Sequence, residues 1–201
     1  IIAIAQDFKT RFKQIPKITG AHHLAGRIGA NYFIQKGFKH FAFYGFKDLV
    51  WSEERCSGLK DELTANYLGS RFHEYRNTTF KDLWYYESEN LICWLKALPK
   101  PVALMACDDN QAHHITEVCT QYDIKIPEEI AVLVVDNDDA ICTLTHPPLS
   151  SMNQAVERGG YETARLIDKL IQNPDAVYED IIVLPTHIAT RQSTDIYATN
   201  D

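Results

Sequence analysis

An α/β architecture with parallel strands is the expectation for this chain, and three features carry it. Apolar runs of strand length alternate with segments of helical periodicity along the whole sequence. The clearest unit is the apolar run Pro101-Val-Ala-Leu-Met-Ala-Cys107, then a helical pattern, then Ile130 to Val135. That β-α-β order implies parallel strands, covered by helices on both faces. No repeat, low-complexity tract or flexible linker interrupts the alternation, so any division into two lobes requires several chain segments to join them.

Taken in order, IIAIA at residues 1–5 reads as a strand with no preceding start, so the chain is expected to be a fragment whose N-terminus lies upstream. Ile15 to Thr19 and Phe41 to Tyr44 are the next strands. Between them, HHLAGRIGANYFIQKG repeats Leu24, Ile28 and Tyr32 at every fourth position and stops at Gly37, which predicts a helix. Ser52 is the expected N-cap of another helix, with Glu53 and Glu54 in its first turn where negative charge suits the dipole. Phe72 to Tyr75 is a short strand, and from Ser88 a helix sets Leu91, Ile92, Leu95 and Leu98 on one side. After the 101–107 run, Asp109 is the expected cap of a helix that turns Ala112, Ile115, Cys119 and Tyr122 inward. A helix over Asn153 to Ile171 carries Ala164, Leu166, Ile167, Leu170 and Ile171, and Ile181 to Leu184 is the final strand.

With 201 residues, 45% of them hydrophobic, the chain can bury a core as one large domain or two small lobes. No apolar run approaches the ~18 residues a membrane span needs, so no membrane partner is expected. The net charge of −7 and the scattered basic residues repel phosphate backbones, so this chain is not expected to bind nucleic acid by itself. Five cysteines, at 56, 93, 107, 119 and 142, show no C-x-x-C and no metal spacing; they read as free buried thiols in a reducing cytoplasm.

The chemistry concentrates at strand ends. AVLVVDNDD, residues 131–139, runs from five apolar side chains into Asp136, Asn137, Asp138 and Asp139, and ALMAC ends likewise at Asp108. In an open parallel sheet, ligands bind outside the carboxyl ends of the strands, where side chains leave the buried layer and face a crevice. Asp108 and Asp136 could there bind Mg²⁺, perform acid/base work or accept hydrogen bonds from a polyhydroxylated ligand. The plainer role for either is to cap the next helix. Arg55 follows the FAFYG strand; its guanidinium fork can donate to adjacent hydroxyl oxygens, while the Trp51 indole offers a flat face to a sugar. The competing roles are a surface pair of Arg55 with Glu54 or Glu62, and core positions for Trp51 and Trp84. GAHHLAGRIG matches no phosphate-binding pattern, no G-x-S-x-G elbow is present, and the adjacent pairs His22-His23 and His113-His114 would splay their rings apart on a helix, against zinc.

Several spaced segments resemble the regulatory domain of the lactose and galactose repressor family. DIKIPEEIAVLVVDNDD, then THPPLSSMNQAVERGGYETARLIDKLI, together with ALMACDDNQAHHI and LPTHIATRQST, follow that family's order across essentially the whole chain. HFAFYGFKDLVWSEER and WYYESENLICWLKALPKP are similar to its xylose-responsive branch, in which an AraC-type (arabinose-regulator) pair of helix-turn-helix motifs follows the sugar domain.

The resemblance implies a two-lobed periplasmic-binding-protein-like type I fold with parallel sheets, the first lobe incomplete because its N-terminal strands are missing. It implies a first lobe of about 1–46 and 153–183, a second of about 47–152 and 184–201, and a DNA-binding domain after 201. Arg55 falls on the family's sugar-hydroxyl arginine, Asp108 and Asp136 on two strand-end polar positions, and Trp84 on the stacking aromatic. Trp51 matches the branch's tryptophan, and Gln154 starts the helix after the third crossover. His22 stands where many members place an aspartate, so a neutral ring replaces a carboxylate there. The implied function is a cytoplasmic, non-enzymatic sensor of xylose or a similar monosaccharide, with no cofactor or metal, compatible with a homodimer, reaching DNA only through a domain outside this chain. Two rivals share the strand-end chemistry: a solute-binding protein for sugar transport, and a Mg²⁺-dependent α/β enzyme using Asp108, Asp136 and Asp138.

Overall fold

The computed structural model describes residues 4–6, 15–77 and 88–196; Trp84 and the first three residues of the IIAIA run lie outside them. The chain runs β1 (Ala5–Gln6), β2 (Lys17–Gly20), α1 (His22–Gln35), β3 (Phe41–Phe46), α2 (Val50–Ala65), β4 (Phe72–Asn77), α3 (Ser88–Ala97) and β5 (Val102–Ala106). It continues through α4 (Asp109–Gln121), β6 (Ile130–Asp136), α5 (Asp139–Leu144), β7 (Ser150–Asn153), α6 (Val156–Gln172), β8 (Ile181–Val183) and β9 (Ile188–Ala189). These strands form two sheets, β1-β2-β8 and β4-β3-β5-β6-β7-β9. Every pairing is parallel except that of β7 with β9.

The centre of the larger sheet, β3, β5 and β6, is buried on both faces, which is why these strands read as unbroken apolar runs. Val102, Leu104 and Ala106 of β5, with Ile130, Val132 and Val134 of β6, pack against Leu91 and Leu95 of α3 and Ala112 and Ile115 of α4. The alternate residues Ala103, Met105, Leu133 and Val135 meet Ala25 and Phe33 of α1 and Leu59 and Leu63 of α2. The smaller sheet joins Ile18, Val183 and Ala155 in a separate small cluster, with α6 packed against β2 and β8.

Several local expectations are corrected. The buried face of α1 is His22, Ala25, Gly26, Gly29, Ala30 and Phe33, not the Leu24-Ile28-Tyr32 stripe. The cause is close backbone approach to α2: a Cβ on Gly26 would lie 2.1 Å from the Arg55 carbonyl oxygen, and one on Gly58 1.9 Å from that of His23. This lock holds α1 beside α2, and β3 pairs with β4 and β5, so residues 22–46 belong with the larger sheet rather than with a first lobe ending near 46. The chain passes between the sheets near Ala21, around Gln154 and Ala155, and through 184–187.

Helix starts also shift. Val50 begins α2 after Leu49, so Ser52 lies inside the first turn, where its hydroxyl accepts the Phe46 N–H at 2.8 Å. Asp108, not Asp109, caps α4. Residues 150–153 form β7, and α6 starts only at Val156 because Ala155 turns the backbone to φ 52°.

Candidate functional site

The carboxyl ends of β2 and β8 on one sheet, and of β3 and β6 on the other, open onto one cleft of about 500 Å³. That size and that position between two parallel sheets are those of a small-molecule site. Thr19, Gly20 and Val183 line it from the small sheet, and Gly159, Gly160 and Thr163 from α6. Trp51, Arg55 and Asp136 line it from the large sheet, with His22 and Gln154 at the crossovers. Five residues singled out in the sequence, His22, Trp51, Arg55, Asp136 and Gln154, are thus brought together. Trp84 lies outside the described residues.

Arg55 is only 3% exposed, and its orientation is fixed on three sides. One terminal nitrogen, Nη1, donates to the Cys107 carbonyl at the end of β5; the other, Nη2, donates to Asp136 Oδ1 at 2.9 Å. The guanidinium carbon sits 5.1 Å from the Trp51 ring centroid, a cation–π contact one helical turn away. Its Nε–H donor is buried and meets no acceptor among the described residues. The surface pairing with Glu54 or Glu62 is not what forms: Glu62 pairs with Arg27 at 2.7 Å.

Asp136 ends β6 with φ 113°, and Asn137 follows at φ 61°. Side chains bearing a Cβ rarely adopt such conformations, and they persist where surrounding bonds over-determine them. Gln154 is 7% exposed, and both its amide nitrogen and its amide oxygen lack a partner among the described residues. Gly20 makes room for it: a Cβ there would lie 2.7 Å from His22 Cε1 and 3.2 Å from Gln154 Oε1.

Asp108 is not among the residues lining the cleft. Its Oδ1 accepts the Gln111 N–H at 2.8 Å, which is the plainer capping role. Burial raises its carboxyl above the ordinary range against that hydrogen bond, and the charge of Asp136 adds to the rise. Asp138 is likewise tied to a helix start, accepting the Ala140 and Ile141 N–H groups at the head of α5. A site uniting Asp108, Asp136 and Asp138 as Mg²⁺ ligands is therefore not assembled, and among the described residues no three His, Cys, Asp or Glu side chains gather to hold a metal.

Cys56, Cys107, Cys119 and Cys142 are buried free thiols, while Cys93 is exposed. Burial pushes Cys56, Cys119 and Cys142 up to about 12, which makes them poor nucleophiles. His114 Nδ1 meets the Tyr44 hydroxyl at 3.2 Å, away from the cleft, with burial lowering its pKa. Sequence reading missed Thr19, Thr163 and the α6 glycines at the cleft, since none carries a pattern beyond its own helix or strand.

The model of the family described as periplasmic binding protein-like domain matches residues 30–194. The xylose operon regulatory protein of Haemophilus influenzae is 28% identical over 205 residues, covering 100% of this chain and 53% of that protein. The protein of the same name from Escherichia coli K12 is 30% identical over 176 residues, covering 83% of this chain and 43% of its own. The chain thus spans about half the length of these curated relatives. Among solved structures, a xylose-binding transcription activator superposes with a TM-score of 0.83 at 25% identity, covering 98% of this chain and 53% of that one. The described strands, the cleft between two parallel sheets and the family match over most of the length agree: this chain belongs to the periplasmic-binding-protein-like domain family.

Proposed function

We propose that the chain is the effector-binding part of a sugar-responsive transcription regulator, and that xylose or a related pentose occupies the cleft. One observation carries this reading: two buried polar groups without partners among the described residues, Arg55 Nε–H and the Gln154 amide, belong to side chains that line one cleft, Arg55 from the helix after β3 and Gln154 from the crossover after β7. Burying such groups unsatisfied costs about 1–3 kcal/mol each. A polyol, whose every hydroxyl both donates and accepts, satisfies them together. Asp136 accepts further hydroxyl protons, Trp51 supplies a flat apolar wall, and His22 donates or accepts at the crossover. Trp84 is assigned the stacking role that the family resemblance implies, and Asp108 a hydroxyl contact in a closed arrangement.

Because the cleft is walled by both sheets, with Thr19, Gly20 and Val183 on the small one and Trp51, Arg55 and Asp136 on the large one, a sugar held there binds a closed arrangement better than an open one, and that difference is what shifts the equilibrium. Closure then repositions the segment after β9 and, through it, an AraC-type DNA-binding module in the full-length protein. The reading is cytoplasmic and non-enzymatic, and it is compatible with a homodimer. The similarity to xylose operon regulatory proteins supports the choice of sugar.

Calorimetric titration with D-xylose, D-ribose, D-glucose and Mg²⁺ tests it. Saturable heat with a pentose, weakened about 10- to 100-fold in Asp136→Ala, is the expected result, corresponding to about 1.5–3 kcal/mol for a lost charged acceptor. Heat with Mg²⁺ and none with any sugar would support the enzyme reading instead. Sugar binding that leaves the DNA affinity of the full-length protein unchanged would point to a solute carrier.

A further inference from the structure

Behind the cleft lies a buried carboxylate that makes no contact with it. Asp109 opens α4 and is 3% exposed. Its Oδ2 accepts the Asp138 N–H at 2.6 Å, and its Oδ1 accepts the Ser151 hydroxyl at 3.1 Å. With its proton committed to Asp109, Ser151 Oγ accepts the Asn137 N–H at 2.9 Å. Directly and through Ser151, Asp109 therefore holds the two peptide N–H groups that follow Asp136. They belong to the turn whose residues sit at φ 113° and 61°. From the other side Arg191 grips the same turn, with Nη1 donating to Asn137 Oδ1 at 2.9 Å and Nη2 to Asp139 Oδ1 at 3.1 Å.

We propose that Asp109 is a positioning residue for the ligand-binding carboxylate: with Ser151 it locks the Asp136–Asn137 turn so that Asp136 meets Arg55 at the cleft. This rests on the reading of Asp136 as a sugar contact. A carboxylate suits the task because it is an acceptor at both oxygens, whereas an amide would turn one donor against the Asp138 N–H or the Ser151 hydroxyl. The ionisable groups facing it are Asp136 on β6 and Cys142 on α5, with Asp108 before it in the chain. Arg191 reaches Asp139 and Asn137 instead. Burial, opposed by the Asp138 N–H and reinforced by the charge of Asp136, pushes Asp109 up to about 6. A proton added as pH falls through that value takes away one acceptor and loosens the turn.

Amide hydrogen exchange of the ligand-free protein and xylose affinity against pH, in wild type, Asp109→Asn and Ser151→Ala, decide the matter. In Asp109→Asn the Asn137 and Asp138 amides should exchange at least about tenfold faster while Val132 and Leu133 keep their protection, and in Ser151→Ala the larger rise should be at Asn137. Xylose affinity should fall about tenfold at pH 8 in Asp109→Asn, and the wild-type decline through about pH 6 should disappear. Unchanged exchange at both amides, or an unchanged pH profile, overturns the proposal. If Asp109→Asn fails to fold, Ser151→Ala decides by the same two readouts. Faster exchange as expected in a protein that binds no monosaccharide leaves the positioning role standing and refutes the assignment of the cleft.

Discussion

Arg55→Ala should abolish measurable pentose binding, a loss of at least about 100-fold, and lower stability by about 2–4 kcal/mol. The binding loss has two sources: the Nε–H donor disappears, and Asp136 loses the partner that aims it. The stability loss reflects a vacated buried volume and a Cys107 carbonyl left without its guanidinium donor. It stays below the cost of breaking a fully buried pair because the Asp136 side chain is 42% exposed, where solvent screens its charge. Arg55→Lys retains the charge but not the fork, so it should recover part of the stability and little of the binding. Thermal denaturation and calorimetry on the two variants separate these effects.

Gly58→Ala should destabilise the protein by about 3 kcal/mol or more, the upper end of overpacking costs. Alanine is a better helix former than glycine by about 1 kcal/mol, but its methyl would sit 1.9 Å from the His23 carbonyl oxygen, a backbone atom that cannot rotate away. Helices α1 and α2 would have to separate, and α2 carries both Trp51 and Arg55. The variant should therefore lose sugar affinity as well as melting temperature, whereas Gly160→Ala in α6, where an added Cβ meets nothing within 4 Å, should keep or slightly raise stability, by up to about 1 kcal/mol. Denaturant titration of the two glycine variants is the check.

The β5-α4-β6 unit was legible because strands covered on both faces must be apolar at every position, and ALMA and IAVLVV are. Strand β7 was not, since Ser150, Ser151 and Asn153 carry no apolar alternation. The burial of Ser150 and Ser151 depends on distant partners, such as Ser193 Oγ accepting the Ser150 N–H at 2.8 Å. The inward face of α1 was hidden for a different reason: glycine and alanine give a weak hydrophobic signal, yet they allow the closest backbone approach. Adjacent aspartates could not be ranked from sequence, so Asp109 was read as the cap that Asp108 provides. Within the cleft, strand-end logic and family resemblance located Arg55 and Asp136, and resemblance alone drew attention to His22 and Gln154. Asp109, Ser151 and Arg191 stayed invisible because they act on a turn through tertiary contacts 14 to 54 residues apart in sequence.

The most direct test is a crystal structure of the protein grown with D-xylose. The sugar should lie between Trp51 and Gln154, with one hydroxyl oxygen within hydrogen-bond distance of Arg55 Nε and another group on Asp136 or the Gln154 amide. A pentose bound elsewhere on the molecule, or a cleft in which Arg55 Nε and Gln154 hold only water at saturating sugar, would contradict the account.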